Sequence, residues 1–163
     1  MTPPDYSSLQ EYFQDSYRDN SYVKLLDMKL FRIEPGVAEV TMPVDPLKHT
    51  NLYKVSHGGC LASVADTAMG VACGSLGRRV VTLEMNINFL KAADAGTIVH
   101  AVGRVIHNGR QTLVVECDVV GAEDKLLAKA RGTFYVVGQF DIGANRQDAV
   151  PINQKTVPDI DKS

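Results

Sequence analysis

His57-Gly58-Gly59-Cys60-Leu61-Ala62-Ser63-Val64-Ala65-Asp66-Thr67-Ala68-Met69-Gly70-Val71-Ala72-Cys73-Gly74-Ser75-Leu76-Gly77 carries one charged residue, Asp66. Apolar or small residues occupy every side of the helix this run would form. That is the pattern of a helix enclosed by protein rather than one laid on a surface. Asp66 is therefore expected to be buried. An unpaired carboxylate in such a place loses solvation or takes up a proton, so it needs partners, a ligand or a task. Two readings stand side by side: a structural carboxylate hydrogen-bonded in the core, and a functional group whose cost is retained for its chemistry.

The start of the helix adds to the second reading. Ser56 is the expected N-cap, and Gly58 and Gly59 leave the first-turn amides uncovered by side chains. Exposed amides at a helix N-terminus carry roughly +0.5 of a charge and suit a developing oxyanion. Asp66 lies eight residues beyond Gly58, about 12 Å along the axis at ~1.5 Å per residue. One helix does not easily bring both groups to one small ligand, whereas a two-fold dimer can set the Asp66 of one chain opposite the Gly58-Gly59 amides of the other. Gly70 and Gly74 permit either close contact with a sheet or a pocket beside the helix.

Outward from this run, the chain reads mainly as strand. Met28 to Ile33 and Val37 to Pro43 form a hairpin across Glu34-Pro35-Gly36. A loop with Asp45, Pro46, His49, Asn51 and Tyr53 leads into the helix. After Gly77, Thr82 to Phe89 alternates apolar and polar residues, which places Glu84 on the same face as Thr82. Thr97 to Ile106 and Gln111 to Val120 flank His107-Asn108-Gly109-Arg110, a hairpin signal resting on positive φ at Asn-Gly. Leu126 to Val137 follows the turn Ala122-Glu123-Asp124-Lys125. Ser7 to Asp19, with Leu9, Tyr12, Phe13 and Tyr17 near helical spacing, is an amphipathic helix assigned to packing. The order of elements gives an α+β domain, one curved antiparallel sheet of about six strands around one long helix. We expect an N-terminal helical segment over 1–27, the main domain over 28–138 and a mobile polar tail over 139–163.

Composition bounds the function. With 163 residues and a net charge of −2, the chain suits one domain with a substantial core and offers no basic stripe for nucleic acid. Cys60, Cys73 and Cys117 lack the spacing of a zinc site or redox pair and read as small buried residues of a reducing compartment. The first residues lack a secretory pattern, and Asp66 with its glycines argues against a membrane span, so a cytoplasmic location is expected. The four histidines carry no metal-binding spacing, and no metal or cofactor is expected.

Asn51, His57-Gly58-Gly59, Asp66-Thr67-Ala68, Val81-Thr82-Leu83-Glu84-Met85-Asn86-Ile87 and Asn108-Gly109-Arg110, in that order, resemble the hotdog-fold acyl-CoA thioesterases. The likeness is closest to the phenylacetic-acid-degradation (PaaI-like) type of the 4-hydroxybenzoyl-CoA thioesterase superfamily and runs from about Met28 to Val137. It implies a hotdog fold, a homodimer or a homotetramer made as a dimer of dimers, and hydrolysis of an aryl- or medium-chain acyl-CoA. It further implies that amides at Gly58 and Gly59 polarise the thioester carbonyl while Asp66 of the partner acts as nucleophile or general base. Asn51 would position water or the carboxylate, His57 would order the helix start, and Thr82 would sit near the attacking water. Lys91, Gly109, Arg110 and Thr112 are candidates for the coenzyme A phosphates. Hydratases on the same fold pair a helix carboxylate with a histidine on a separate loop, and acyl-CoA sensors attach a DNA-binding module. The histidine directly before Gly58-Gly59, and the absence of a recognition helix, favour hydrolysis.

Overall fold

The computed structural model describes residues 6–140; the expected tail lies, from residue 141 onward, outside them. Two N-terminal helices, α1 (Tyr6–Arg18) and α2 (Ser21–Leu25), precede the hairpin β1 (Lys29–Glu34) and β2 (Val37–Pro43). The long helix α3 (Gly58–Gly74) follows, then β3 (Arg78–Phe89), β4 (Ile98–Asn108), β5 (Thr112–Val120) and β6 (Leu126–Gln139). The six strands form one antiparallel sheet in the order β1-β2-β4-β5-β6-β3, with β1 and β3 at its edges. This is the α+β hotdog architecture expected from the sequence.

Period-2 patterning explains how the sheet grips the helix. Ala38, Val40 and Met42 of β2, Val99, Ala101 and Gly103 of β4, and Leu113, Val115, Cys117 and Val119 of β5 are buried. From α3, Leu61, Val64, Met69 and Val71 are buried against that face. Each of the buried Val, Leu and Met side chains among these contributes about 1.5–3 kcal/mol relative to exposure. The closest approach is at Gly103, where a Cβ would stand 2.7 Å from the Ala68 carbonyl oxygen. The sheet, then, supplies the small residue for the helix to lie against, on β4.

The two helix glycines serve different neighbours. A Cβ on Gly74 would fall 2.3 Å from the ring of Phe13 on α1, whereas Gly70 has nothing within 4 Å and faces open space. Phe13 also meets Tyr12, Tyr17 and Phe140 in a ring cluster that holds α1 against the body.

Several local expectations change. The short α2 was not foreseen; Asn20 caps it, its side-chain oxygen accepting from the Tyr22 and Val23 amides at 3.0 and 3.1 Å. The β4–β5 turn falls at Gly109-Arg110-Gln111, and neither Asn108 nor Gly109 has positive φ. Gly109 is needed there for space: a Cβ would lie 2.8 Å from both the His107 ring and the Thr112 carbonyl oxygen. Positive φ is used instead at Gly36 (71°) in the β1–β2 turn, as its Pro-Gly pair predicts.

A β-bulge changes the face of β3. Thr82 pairs with Phe134 and Glu84 with Thr133, so Leu83 is the extra residue. Thr82 therefore faces the helix with the buried Phe134. Glu84 points to the opposite face, where its carboxylate accepts from the Thr133 hydroxyl at 2.8 Å. The expected common face of Thr82 and Glu84 does not form.

Candidate active site

The helix start is capped by His57, not by Ser56. His57 is extended (φ −68°, ψ 135°), and its Nδ1 accepts from the Gly59 amide at 2.9 Å. An accepting Nδ1 leaves the ring proton on Nε2. Ser56 instead ties the helix entrance to the loop after β3: its Oγ accepts from the Ala93 amide at 3.0 Å while its own amide donates to the Ala93 carbonyl at 2.9 Å. The Cys60 amide donates to the His57 carbonyl at 3.0 Å. Of the first-turn amides, Gly58 N–H is left without a partner among the described residues. The ring of Phe89 lies beside it, 3.3 Å from where a Gly58 Cβ would be.

Asn51 sits one loop upstream. Its side-chain oxygen accepts from the Tyr53 amide at 2.9 Å and more weakly from Val55 at 3.4 Å, an Asx turn that leaves its side-chain NH2 uncommitted. His49, for which no sequence motif suggests a role, is fully buried and anchors this loop. Its Nδ1 accepts from the Asp45 amide at 3.1 Å, and its carbonyl receives the His57 amide at 2.7 Å. Its Nε2 has no partner among the described residues.

Asp66 lies two turns further along α3, on the side of the helix that the sheet leaves open between its edge strands. It is partly exposed rather than buried, because the sheet does not close over this face. The Thr82 hydroxyl donates to Asp66 Oδ1 at 2.8 Å. Both residues line a cavity of about 210 Å³ whose other walls include Gly70, Phe134, Tyr17, Asn20 and Tyr22. The last three come from the N-terminal segment, which is thus part of the site and not packing alone. Tyr22 is held in place by its hydroxyl, 2.6 Å from Ser63 Oγ, which in turn donates to the Gly59 carbonyl at 2.8 Å. Burial, and next the negative charge of Asp66, push the Tyr17 phenol well above its ordinary value, so it stands in the wall as a neutral hydroxyl. The period-4 spacing of Phe13 and Tyr17 marked one face of α1 but not what that face would meet.

Within one chain, the structure groups Asn51, His57, Gly58 and Gly59 at the helix start, and Asp66 with Thr82 at its middle. No hydrogen bond joins the two groups among the described residues. Lys91, just past β3, and Arg110, in the β4–β5 turn, are exposed, and among the described residues neither side chain hydrogen-bonds to either group. Gly109 N–H closes its turn onto the Thr112 carbonyl at 2.9 Å. Among the described residues no three His, Cys, Asp or Glu side chains cluster as metal ligands, and no helix is long and apolar enough to cross a membrane.

Known proteins share this fold. Residues 53–128 match the family model of the thioesterase superfamily. The acyl-coenzyme A thioesterase PaaI of Escherichia coli is 34% identical over 122 residues, covering 75% of this chain and 86% of that protein. The structure of the E. coli PaaI protein superposes with a TM-score of 0.77 at 31% identity, over 83% of this chain and 97% of that one. A hypothetical thioesterase of Streptococcus pneumoniae, crystallised with coenzyme A, gives a TM-score of 0.66 at 33% identity, over 69% and 90% of the two chains. Two further structures of that streptococcal protein carry alanine in place of one aspartate and one threonine, sixteen positions apart. Asp66 and Thr82 are separated by the same interval.

Proposed function

Since this chain belongs to the thioesterase superfamily, we propose that it hydrolyses acyl-CoA thioesters with Asp66 as the catalytic carboxylate. The observation that carries the reading is the Thr82–Asp66 hydrogen bond on the wall of an open cavity. Thr82 fixes Asp66 through Oδ1 and leaves Oδ2 free toward the cavity. A carboxylate so held either attacks the thioester carbon, forming an acyl anhydride that water then cleaves to free the acid and restore Asp66, or takes the proton of a water that attacks directly. In either route the carbon–sulfur bond breaks and the thiol leaves as thiolate, a competent leaving group with a pKa of ~8.5, so no acid need be positioned for it.

The carbonyl oxygen is served by the other group of residues. Gly58 N–H, unpartnered at the positive end of α3, is the oxyanion donor. Gly59 N–H is occupied by His57 Nδ1, and its part is to aim the ring so that Nε2–H faces the substrate. Asn51, its oxygen tied into the loop, offers its NH2 to the attacking water. Lys91, Arg110 and the Thr112 hydroxyl receive the phosphate-bearing arm of coenzyme A, while the Gly109 amide, bonded to the Thr112 carbonyl, shapes the turn that presents them.

Both groups meet across a two-fold dimer. What supports this is the edge strand β3, twelve residues long, with Val81, Leu83 and Phe89 between 50% and 58% exposed. A long apolar edge is a template for pairing with another strand. Antiparallel pairing of two β3 edges brings one chain's Asp66 toward the other's Gly58. The fully exposed Leu52 and Tyr53, in the loop that carries Asn51, gain cover in the same assembly.

The test is thiol release from a panel of aryl- and acyl-CoA thioesters by wild type and Asp66→Ala. Turnover is expected to fall at least about a hundredfold in the variant, with its melting transition and oligomeric state unchanged. Full activity in a folded Asp66→Ala protein would remove Asp66 from the mechanism.

A further inference from the structure

Tyr17 stands between two cavities of opposite character. On one side is the 210 Å³ chamber lined by Asp66, Thr82 and Tyr22. On the other is a crevice with room for about one water, about 10 Å³, walled by Met28, Leu30, Val40 and Val71, with Lys29 as its one charged residue. Three residues line both: Tyr17, Val23 and Thr67. Val23 is buried in the one-turn α2, and Thr67 is tied down by its hydroxyl, which donates to the Ser63 carbonyl at 2.8 Å. Tyr17 has the largest side chain of the three.

We propose that the Tyr17 ring is the end wall of the acyl site, limiting the substrate to acyl groups that end in the chamber and closing off an apolar extension that would accept a longer chain. This rests on the reading of the Asp66 cavity as the acyl-CoA site. One chain's share of the chamber, about 210 Å³, is below the ~300–1,000 Å³ of clefts that take drug-sized ligands and has room for a compact acyl group. Behind the wall the lining is mainly aliphatic, Lys29 apart, the surface that a methylene chain requires and a hydroxylated ring does not. Tyr17 is carried by α1, which is anchored through Phe13 in the notch at Gly74 and by the stacked Phe13–Tyr17 rings at 6.0 Å. The wall is therefore set by the N-terminal segment and not by the hotdog sheet.

The experiment uses the full chain and a series of S-alkyl-CoA thioethers of increasing length, which bind without turning over, alongside the matching acyl-CoA thioesters. Tyr17→Ala, and Tyr17→Leu as the variant that better keeps α1 packed, are expected to raise the long-chain to short-chain ratio of both affinity and kcat/KM at least about tenfold, the scale of one methylene or more gained in an apolar pocket. Tyr17→Phe keeps the ring and is expected to keep the wild-type ratio. An unchanged length profile in both ring-deleted variants, with melting transitions showing them folded, would overturn the proposal. A shifted thioether profile without thiol release from any thioester would leave the wall standing and count against hydrolysis alone.

Discussion

At the scale of single residues, the neutral phenol of Tyr17 gives the fold a pH signature. Burial and the charge of Asp66 raise its pKa above the ordinary value of 10.0. Above pH ~10 the unfolded chain releases this proton while the folded chain keeps it, so the folded state binds more protons and rising pH favours unfolding. The contribution is complete below that pH and is lost progressively above it. Denaturant midpoints at about pH 8 and about pH 11 are expected to show a smaller alkaline loss for Tyr17→Phe than for wild type; equal losses would mean Tyr17 ionises as readily folded as unfolded. The sequence made Asp66 conspicuous as a lone charge in an apolar run, but it did not reveal that this charge stands on the helix side left open by the sheet. That depends on where β1 and β3 end up as edges, which only the pairing order decides. His57 as cap in place of Ser56 was equally illegible, since both residue types can accept an amide and the choice is settled by the Ser56–Ala93 contacts from a distant loop.

At the scale of elements, the glycines of α3 and the sheet separate three physical cases. Gly70→Ala meets nothing and is expected to stabilise the helix by about 0.5–1 kcal/mol through propensity, while narrowing the chamber. Gly74→Ala drives a methyl into the Phe13 ring and is expected to cost about 1–3 kcal/mol, recovered in part by Phe13→Leu. Gly103→Ala meets the α3 backbone, which has no side chain to move aside, and is expected to cost more than Gly74→Ala. Urea midpoints of the three variants order them; a Gly103→Ala protein as stable as wild type would contradict the close approach of β4 to α3. The alternation of β2 and β5 was readable because their period is local. The inversion at Leu83 was not, because a bulge exists only relative to the partner strand β6. Helix α2 escaped notice because one turn has no period to detect.

At the scale of the whole molecule, a site assembled from two chains predicts complementation. Asp66→Ala and His57→Ala proteins, each impaired alone, are expected on co-expression to give mixed dimers with one site built from two intact halves. With random assortment, activity recovers to about a quarter of wild type. Recovery no greater than the average of the parents would place both groups of each site within one chain. The three cysteines are buried in the core, with Cys73 and Cys117 pushed up to about 12 and Cys60 raised by the same desolvation. Thiols that do not ionise near neutrality are poor nucleophiles toward disulfide dyes. The folded enzyme thus contributes almost no background colour, and the first turnover can be counted against enzyme concentration. A rapid burst of released coenzyme A before the steady rate would signify an acyl anhydride on Asp66 that hydrolyses more slowly than it forms.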